Sequence, residues 1–386
     1  KKAKRGLIAP NYKPLVSVII PAWNEEVGIV TTIKSVLANT YDNIEVVVVN
    51  DGSDDNSDSV IRKFKEEYDQ NEVEGKKLTY FYKKRTGKGA TINFGVKHSH
   101  GEIVMTIDGD SVQRTDALRN LVSYFADPEI DSVVGNVKVA NAHSPLGLLQ
   151  KLEYLFGFYF KRVHSLFNAE YIFGGACAAF RRKTTFDEIG YFDEVIKTED
   201  IEYSMRTKLY GLTSVYAEDV VVYTEGASSL SSLYKQRLRW KKGRIDTFLK
   251  YKGLFFSLHT KHSKFLSWVV LPYALLGELQ ILLEPIFFTL IWSYTLVTGD
   301  YLTLGISSLF IFFTYVAVSF FGDSYPSPLL LILFFFTWPL FYVLVGIEYL
   351  VLVRSLELSL ASQDIVWQNW SRRGIKSEVG LESLAK

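Results

Sequence analysis

Asp108-Gly109-Asp110 sets two carboxylates around one small residue, at the end of an apolar run, Val104-Met105-Thr106-Ile107, with the character of a buried strand. Hard divalent cations such as Mg2+ or Mn2+ take carboxylate oxygens together with substrate phosphates in this way. A type I turn uses the same residues, so both readings stand, and a buried strand aimed at a ligand edge favours the metal. Three other apolar runs end in polar residues of similar promise. Asp51 follows residues 44–49 and can accept hydrogen bonds from a base or ribose. Lys88, with Gly89 behind it, follows residues 78–82 and is a point cation suited to phosphate. Asn24 and Glu25 follow residues 15–20 through Pro21-Ala22-Trp23. Each taken singly is explained by turn chemistry. Four on one edge are better explained by a nucleotide-type ligand. The chain has neither Gly-x-x-x-x-Gly-Lys-Ser/Thr nor Gly-x-Gly-x-x-Gly, so the ATPase and dinucleotide fingerprints are missing.

That edge requires a particular set of elements. Residues 15–20, 44–49, 78–82 and 103–107 read as strands. Between them come an apolar rhythm at Ile29, Ile33, Val36 and Leu37, a helix over about residues 57–68 and another over 89–97. Strands alternating with helices predict an α/β fold, a mostly parallel twisted sheet with helices on both faces, and ligands bound at the carboxyl ends of the strands.

Net charge +1 with 22% charged residues looks ordinary for a soluble protein until it is read locally. Residues 1–262 alternate charged and apolar stretches, whereas 265–353 carry very few charges. A bilayer core of roughly 30 Å asks for about twenty apolar residues per helix. Three stretches meet that demand. Residues 268–297 are interrupted by Pro272, Glu278, Glu284 and Pro285, which predicts an interfacial or broken helix and a crossing from about Ile281. Residues 302–321 and 329–353 follow, with Pro326 and Pro328 in the loop between them. Lys261, Lys264, Arg354, Arg372 and Arg373 flank the tail, so both ends lean cytoplasmic. The single cysteine, Cys177, forms no internal disulfide and fits a reducing compartment. The six histidines show no metal-ligand spacing.

Just ahead of the tail the chain reads Gln236-Arg237-Leu238-Arg239-Trp240. Arg237, Lys241 and Arg244 share helical spacing, and with Lys235, Arg239 and Lys242 they make a cationic helix suited to anionic headgroups. An aromatic helix over 148–167, with Tyr154, Phe156, Phe158, Tyr159 and Phe160, reads first as core or membrane-surface packing, with sugar stacking as the alternative. Thr198 reads as an N-cap with Glu199 and Asp200 in the first helical turn, where acidic residues suit the macrodipole.

Residues 16–25 (Val-Ser-Val-Ile-Ile-Pro-Ala-Trp-Asn-Glu), Val49-Asn50-Asp51-Gly52-Ser53, Asp108-Gly109-Asp110, Thr198-Glu199-Asp200 and Gln236-Arg237-Leu238-Arg239-Trp240 appear in the order seen in family 2 glycosyltransferases. The set resembles the processive, membrane-embedded members, the synthases of cellulose, chitin, hyaluronan and poly-N-acetylglucosamine. The resemblance covers residues 15 to about 250. It implies a GT-A-like nucleotide-sugar domain in which Asp51 holds the uracil and ribose of a UDP-sugar, with Ala22, Asn24, Glu25 and Lys88 nearby. Asp108 and Asp110 would face the diphosphate and Mg2+ or Mn2+, Asp110 as the more direct ligand. Asp200 would be the general base beside Glu199, Arg239 would meet the pyrophosphate, and Gln236 and Trp240 would line the acceptor. Gly174 and Gly175 would give a close backbone approach to that acceptor. Here the chain departs from the cysteine-before-glycine pattern of cellulose and chitin synthases, because Cys177 follows the glycines.

The implied activity is an inverting, processive transfer from a UDP-sugar to a growing polysaccharide at the membrane. The likeness of residues 176–183 and 187–193 to bacterial poly-N-acetylglucosamine synthases points to UDP-N-acetylglucosamine. The alternatives are a non-processive transferase with a lipid or lipid-phosphate acceptor, and a receptor that binds nucleotide sugars without turnover. The expected layout is a basic segment 1–14 following a hydrophobic anchor, a cytoplasmic catalytic domain 15–250, interfacial and transmembrane helices 251–355 and a tail 356–386, multi-pass in the cell membrane. Membrane lipids, a polysaccharide or lipid-linked acceptor and an accessory export subunit are the expected partners, with no nucleic acid.

Overall fold

The computed structural model describes residues 12–142, 144–322, 328–365 and 374–375, with backbone alone at 315, 318–322 and 328–341. The expectations placed on residues 1–11, Pro326, Arg372 and Arg373 lie outside the described residues. β1 (Val16–Ala22) leads through α1 (Ile29–Leu37) to β2 (Ile44–Asn50), α2 (Ser57–Asp69) leads to β3 (Lys76–Tyr82), and α3 (Lys88–Lys97) to β4 (Ile103–Thr106). These strands pair in parallel, β3 on β2, β2 on β1 and β1 on β4. Successive side chains of a strand point to opposite faces. Val16, Val18 and Ile20 accordingly join Val46 and Val48 on one face, and Ile19 joins Val47 and Val49 on the other. Both faces are covered, as parallel strands require.

The chain then departs from the expected repeat. β5 (Ser111–Gln113), α4 (Ala117–Phe125), β6 (Ser132–Val139), α5 (Pro145–Ser165), β7 (Ala178–Arg181), α6 (Glu199–Leu209), β8 (Ser214–Thr224) and α7 (Leu230–Lys250) complete the domain. The eight-stranded sheet runs β3-β2-β1-β4-β7-β6-β8-β5. β7 is antiparallel to both β4 and β6, and β5 is antiparallel to β8, while β6 and β8 are parallel. The expected mostly parallel sheet is therefore corrected to a mixed one. Its parallel half carries the strand ends singled out above, and its mixed half carries α6 and α7.

A π-helical turn (Leu266–Val270) opens into α8 (Leu271–Thr298), followed by α9 (Tyr301–Gly322) and α10 (Pro328–Leu360). The break expected between Pro272 and Pro285 does not occur. Pro272 occupies the first turn of α8, where its missing N–H costs nothing, and Pro285 is accommodated inside the helix. Among the described residues one helix, Leu266–Thr298, is long and apolar enough to cross a membrane. Phe288 of α8 meets Tyr342 of α10 with ring centroids 5.0 Å apart, and Glu278 and Glu348 of the same two helices reach one lysine, Lys241. Residue numbers rise along one helix as they fall along the other, so α8 and α10 are antiparallel.

Candidate active site

The carboxyl ends of β1, β2 and β4 lie side by side, because these three strands are neighbours in the sheet. β4 delivers Asp108, and Lys88 at the first turn of α3 reaches across to it, with Nζ 2.7 Å from Asp108 Oδ1. The same ammonium lies 3.0 Å from Glu199 Oε1 in the first turn of α6. Burial works against the Lys88 charge, but Asp108, Glu199 and then Asp200 outweigh it and hold the ammonium well above its ordinary range, with Arg239 opposing them. Glu199, only 3% exposed, is pushed up by burial and by the charge of Asp200, against the pull of Lys88. Residues 88, 108, 199, 200 and 239 therefore share one electrostatic environment, although 151 positions separate the first from the last.

The loop ahead of β7 comes close to this cluster at Gly175. A Cβ on Gly175 would stand 2.7 Å from Lys88 Nζ and 3.5 Å from Asp108 Oδ1. Gly174 beside it has φ +81°, in the left-handed region. Gly175 thus adjoins the cluster, while the atom nearest a Cβ on Gly174 is Lys161 Nζ at 3.8 Å. Gln236 Oε1, on α7, is buried without a hydrogen-bond partner among the described residues. Such an atom carries a desolvation penalty that a substrate hydroxyl would relieve.

Asp110 is held by its neighbours, with Ser111 Oγ donating to Oδ1 at 3.1 Å and Thr224 Oγ1 donating to the same oxygen at 3.5 Å. With Glu25, Gly28, Thr32 and Glu225 it lines a small crevice. Among the described residues no group of three or more His, Cys, Asp or Glu is arranged to hold a metal. Asp108 and Asp110 supply two hard oxygen donors. This set fits Mg2+ or Mn2+ arriving with a diphosphate whose oxygens complete the shell, and does not fit a metal held by protein alone.

Four expected ligands have structural duties. Asp51, 4% exposed, closes β2 and accepts from Lys83 Nζ, from Thr86 N at 2.9 Å and from Gly87 N at 2.8 Å. Its carboxylate thus secures the loop that carries Lys88. Asn24, at φ 55°, ties two loops together, with its backbone N donating to Ser53 Oγ at 3.0 Å and its Oδ1 accepting from Asp54 N at 2.8 Å. Ala22 is buried at the end of β1, and its carbonyl accepts from Asp51 N at 2.9 Å. Glu25 N donates to Ser57 Oγ at 2.9 Å, while its side chain packs towards Gly109.

Thr198 occupies the N-cap position of α6, but its side chain makes no capping bond. Its Oγ1 is buried against Gly243 of α7, where a Cβ would fall well inside contact distance. The α7 backbone is thereby brought onto the turn that presents Asp200. The headgroup-binding reading of the basic face is corrected too. Arg237, Lys241 and Arg244 are drawn inward to Glu153, Glu278 and Glu348. The sequence signal was there, since acidic residues inside apolar runs are costly unless paired.

Two residues of α5 come near the cluster, Tyr154, named in the sequence only as one of five aromatics read first as packing, and Lys161, which was not named. Tyr154 is pushed up to about 12 by burial, with Glu153, Asp110 and Asp108 adding to the shift and Arg237 opposing it. Lys161 lies beside Gly174, lowered by burial and partly restored by Glu170 and Asp200. Aromatic and cationic residues on a long helix carried no spacing that separated these two from their neighbours.

Residues 17–186 match the family described as Glycosyl transferase family 2, and residues 103–347 match that described as Glycosyl transferase family group 2. The chain belongs to the family 2 glycosyltransferases. It is 31% identical over 249 residues to the poly-beta-1,6-N-acetyl-D-glucosamine synthase of Staphylococcus aureus (strain COL), covering 64% of this chain and 58% of that protein. It is 30% identical over 238 residues to the enzyme of the same name from Staphylococcus epidermidis, covering 61% of this chain and 56% of that one. The chain thus spans less than two thirds of the length of these curated relatives. Among solved structures, mannosyltransferase PcManGT from Pyrobaculum calidifontis, in complex with GDP-Man and Mn2+, superposes with a TM-score of 0.61 at 22% identity over 92% of this chain and 89% of that one. This likeness establishes the GT-A-like mixed sheet.

Proposed function

We propose that this glycosyltransferase is an inverting, processive synthase that transfers N-acetylglucosamine from UDP-N-acetylglucosamine to a growing polysaccharide at the cytoplasmic face of a membrane. The observation that carries the reading is the shared environment of Lys88, Asp108, Glu199, Asp200 and Arg239, built from both halves of the sheet and from the helix that precedes the apolar tail. The name of the staphylococcal relatives supports the donor and the product.

In this reading Asp200 accepts the proton of the acceptor hydroxyl while that oxygen forms its bond to the anomeric carbon. The bond from that carbon to the diphosphate breaks on the opposite face, and UDP leaves with the electron pair. A carboxylate at neutral pH is ionised and needs only hydrogen-bond reach of the hydroxyl. Lys88 and Arg239 bear the charge that accumulates on the leaving group, in a site where water is largely displaced. A divalent cation bound by Asp108 and Asp110 would add Lewis-acid stabilisation of the same diphosphate. Gln236 and Trp240 orient the acceptor end, and the Gly174-Gly175 backbone leaves room for it.

The test is transfer by the purified chain, in lipid, from a panel of radiolabelled UDP-sugars with Mg2+ or Mn2+, followed by sizing of the product. Polymer from UDP-N-acetylglucosamine is expected, and single-sugar lipid as the sole product would reject the polymerase reading. Asp200→Asn should lower turnover by about 10²–10⁴ with UDP still bound; normal turnover would reject the mechanism.

A further inference from the structure

α7 presents two faces to two different partners. Gln236, Arg239, Trp240 and Gly243 recur at helical spacing on one, and Arg237, Lys241 and Arg244 lie about 100° further round the axis. The first face meets the site, with Gly243 seated on Thr198. The second is filled with ions. Lys241, 3% exposed, lies 2.8 Å from a carboxylate oxygen of Glu278 on α8 and 2.8 Å from one of Glu348 on α10. Arg244 stands 3.0 Å from Glu278. Arg237 pairs with Glu153 of α5 and lies 3.7 Å from Glu348. Its guanidinium also stands over the ring of Trp240, 4.8 Å from the centroid.

We propose that Arg237 and Lys241 are positioning residues for sugar transfer, and that Glu278 and Glu348 act through them from the apolar helices. The ions lock α7 in rotation and height against α8 and α10, and Arg237 carries that constraint to Trp240 by stacking on it. Desolvated partners make this lock stiff, since removing one charge leaves the others uncompensated. The inference rests on the transferase reading above. It also predicts a division of labour. Asp51, Lys88 and Asp108 lie outside α7, which offers the donor only Arg239, on the face turned away from these ions, so donor binding depends on the lock less than acceptor alignment over Asp200 does. A role confined to fold stability would move both alike.

The experiment compares the full chain in lipid nanodiscs with its Glu348→Gln, Glu348→Asp and Arg237→Met variants, measuring kcat and KM for the donor, UDP affinity by calorimetry and hydrogen exchange of α7 amides. Glu348→Gln and Arg237→Met should lower kcat tenfold or more while UDP affinity and donor KM change less than threefold. Exchange should rise in α7 and stay unchanged in β1, β2 and β4. Glu348→Asp, which keeps the charge, should regain at least a third of the lost turnover. Unchanged kcat in Glu348→Gln and Arg237→Met would overturn the inference, as would equal losses of turnover and UDP affinity. If the parent chain transfers no sugar at all, the functional reading fails instead, and α7 exchange in Glu348→Gln still decides the inference, with no rise overturning it.

Discussion

One ammonium, Lys88, answers two carboxylates, Asp108 at 2.7 Å and Glu199 at 3.0 Å, and this asymmetry governs what the site can lose. Asp108 is partly open to solvent and keeps some hydration, whereas the Glu199 side chain is almost fully enclosed. Lys88→Met should therefore destabilise the fold by about 3 kcal/mol, the order seen when one partner of a buried pair is removed, and should weaken UDP binding at least tenfold. Thermal unfolding and calorimetric titration with UDP would check the two effects. Retention of full UDP affinity would remove Lys88 from the diphosphate site. At this scale the sequence was informative about residue type and weaker about partner. Asp51, Asp108, Lys88 and Asp200 were all visible as strand-end or helix-start polar residues. That Asp51 holds Lys83 and the 86–87 amides depends on a loop conformation that spacing does not encode.

Elements explain which parts of the fold could be read in advance. β1, β2 and β4 are short, mostly apolar runs buried on both faces, and their intervening helices keep a clear period, so the parallel half was legible to within a few residues. β5 has three residues and β7 four, too short for periodicity to speak, and β8 mixes buried and partly exposed positions over 11 residues with no regular alternation. The antiparallel half was lost for that reason. α7 was legible as a helix, but its basic face was assigned to lipid because its carboxylate partners come from α5, α8 and α10, far away along the chain. The seat of Gly243 on Thr198 gives a direct test at this scale. Gly243→Ala should cost about 1–3 kcal/mol by overpacking and should depress turnover, because α7 must move off the turn bearing Asp200. Thr198→Ala in the same chain should recover part of both losses, measurable as non-additivity in a double-mutant cycle. Strict additivity would mean that the two residues do not press on one another.

At the scale of the whole molecule, a nucleotide-sugar domain is joined through α7 to helices of a different character. α8 has 28 residues, about 42 Å at roughly 1.5 Å per residue, longer than a bilayer core of about 30 Å. Many of its large apolar side chains, among them Leu275, Leu276, Ile286 and Leu290, are exposed in the isolated chain. Water is a poor solvent for such a surface. The expected outcome is that the chain stays in the membrane pellet after alkaline carbonate washing and is released only by detergent. Release by alkali alone would mean that α8 packs against protein and not lipid.

The arrangement around Asp51 has a mechanical corollary. A carboxylate at the tip of β2 grips the 83–87 segment, and the next residue along that segment is the ammonium poised over β4. In the proposed reading, where Asp51 meets the nucleoside and Lys88 the diphosphate, the two contacts are two ends of a single short tether. A base that displaced Lys83 from Asp51 would slacken the hold on the diphosphate, so recognition of the nucleoside and retention of the leaving group cannot be tuned separately.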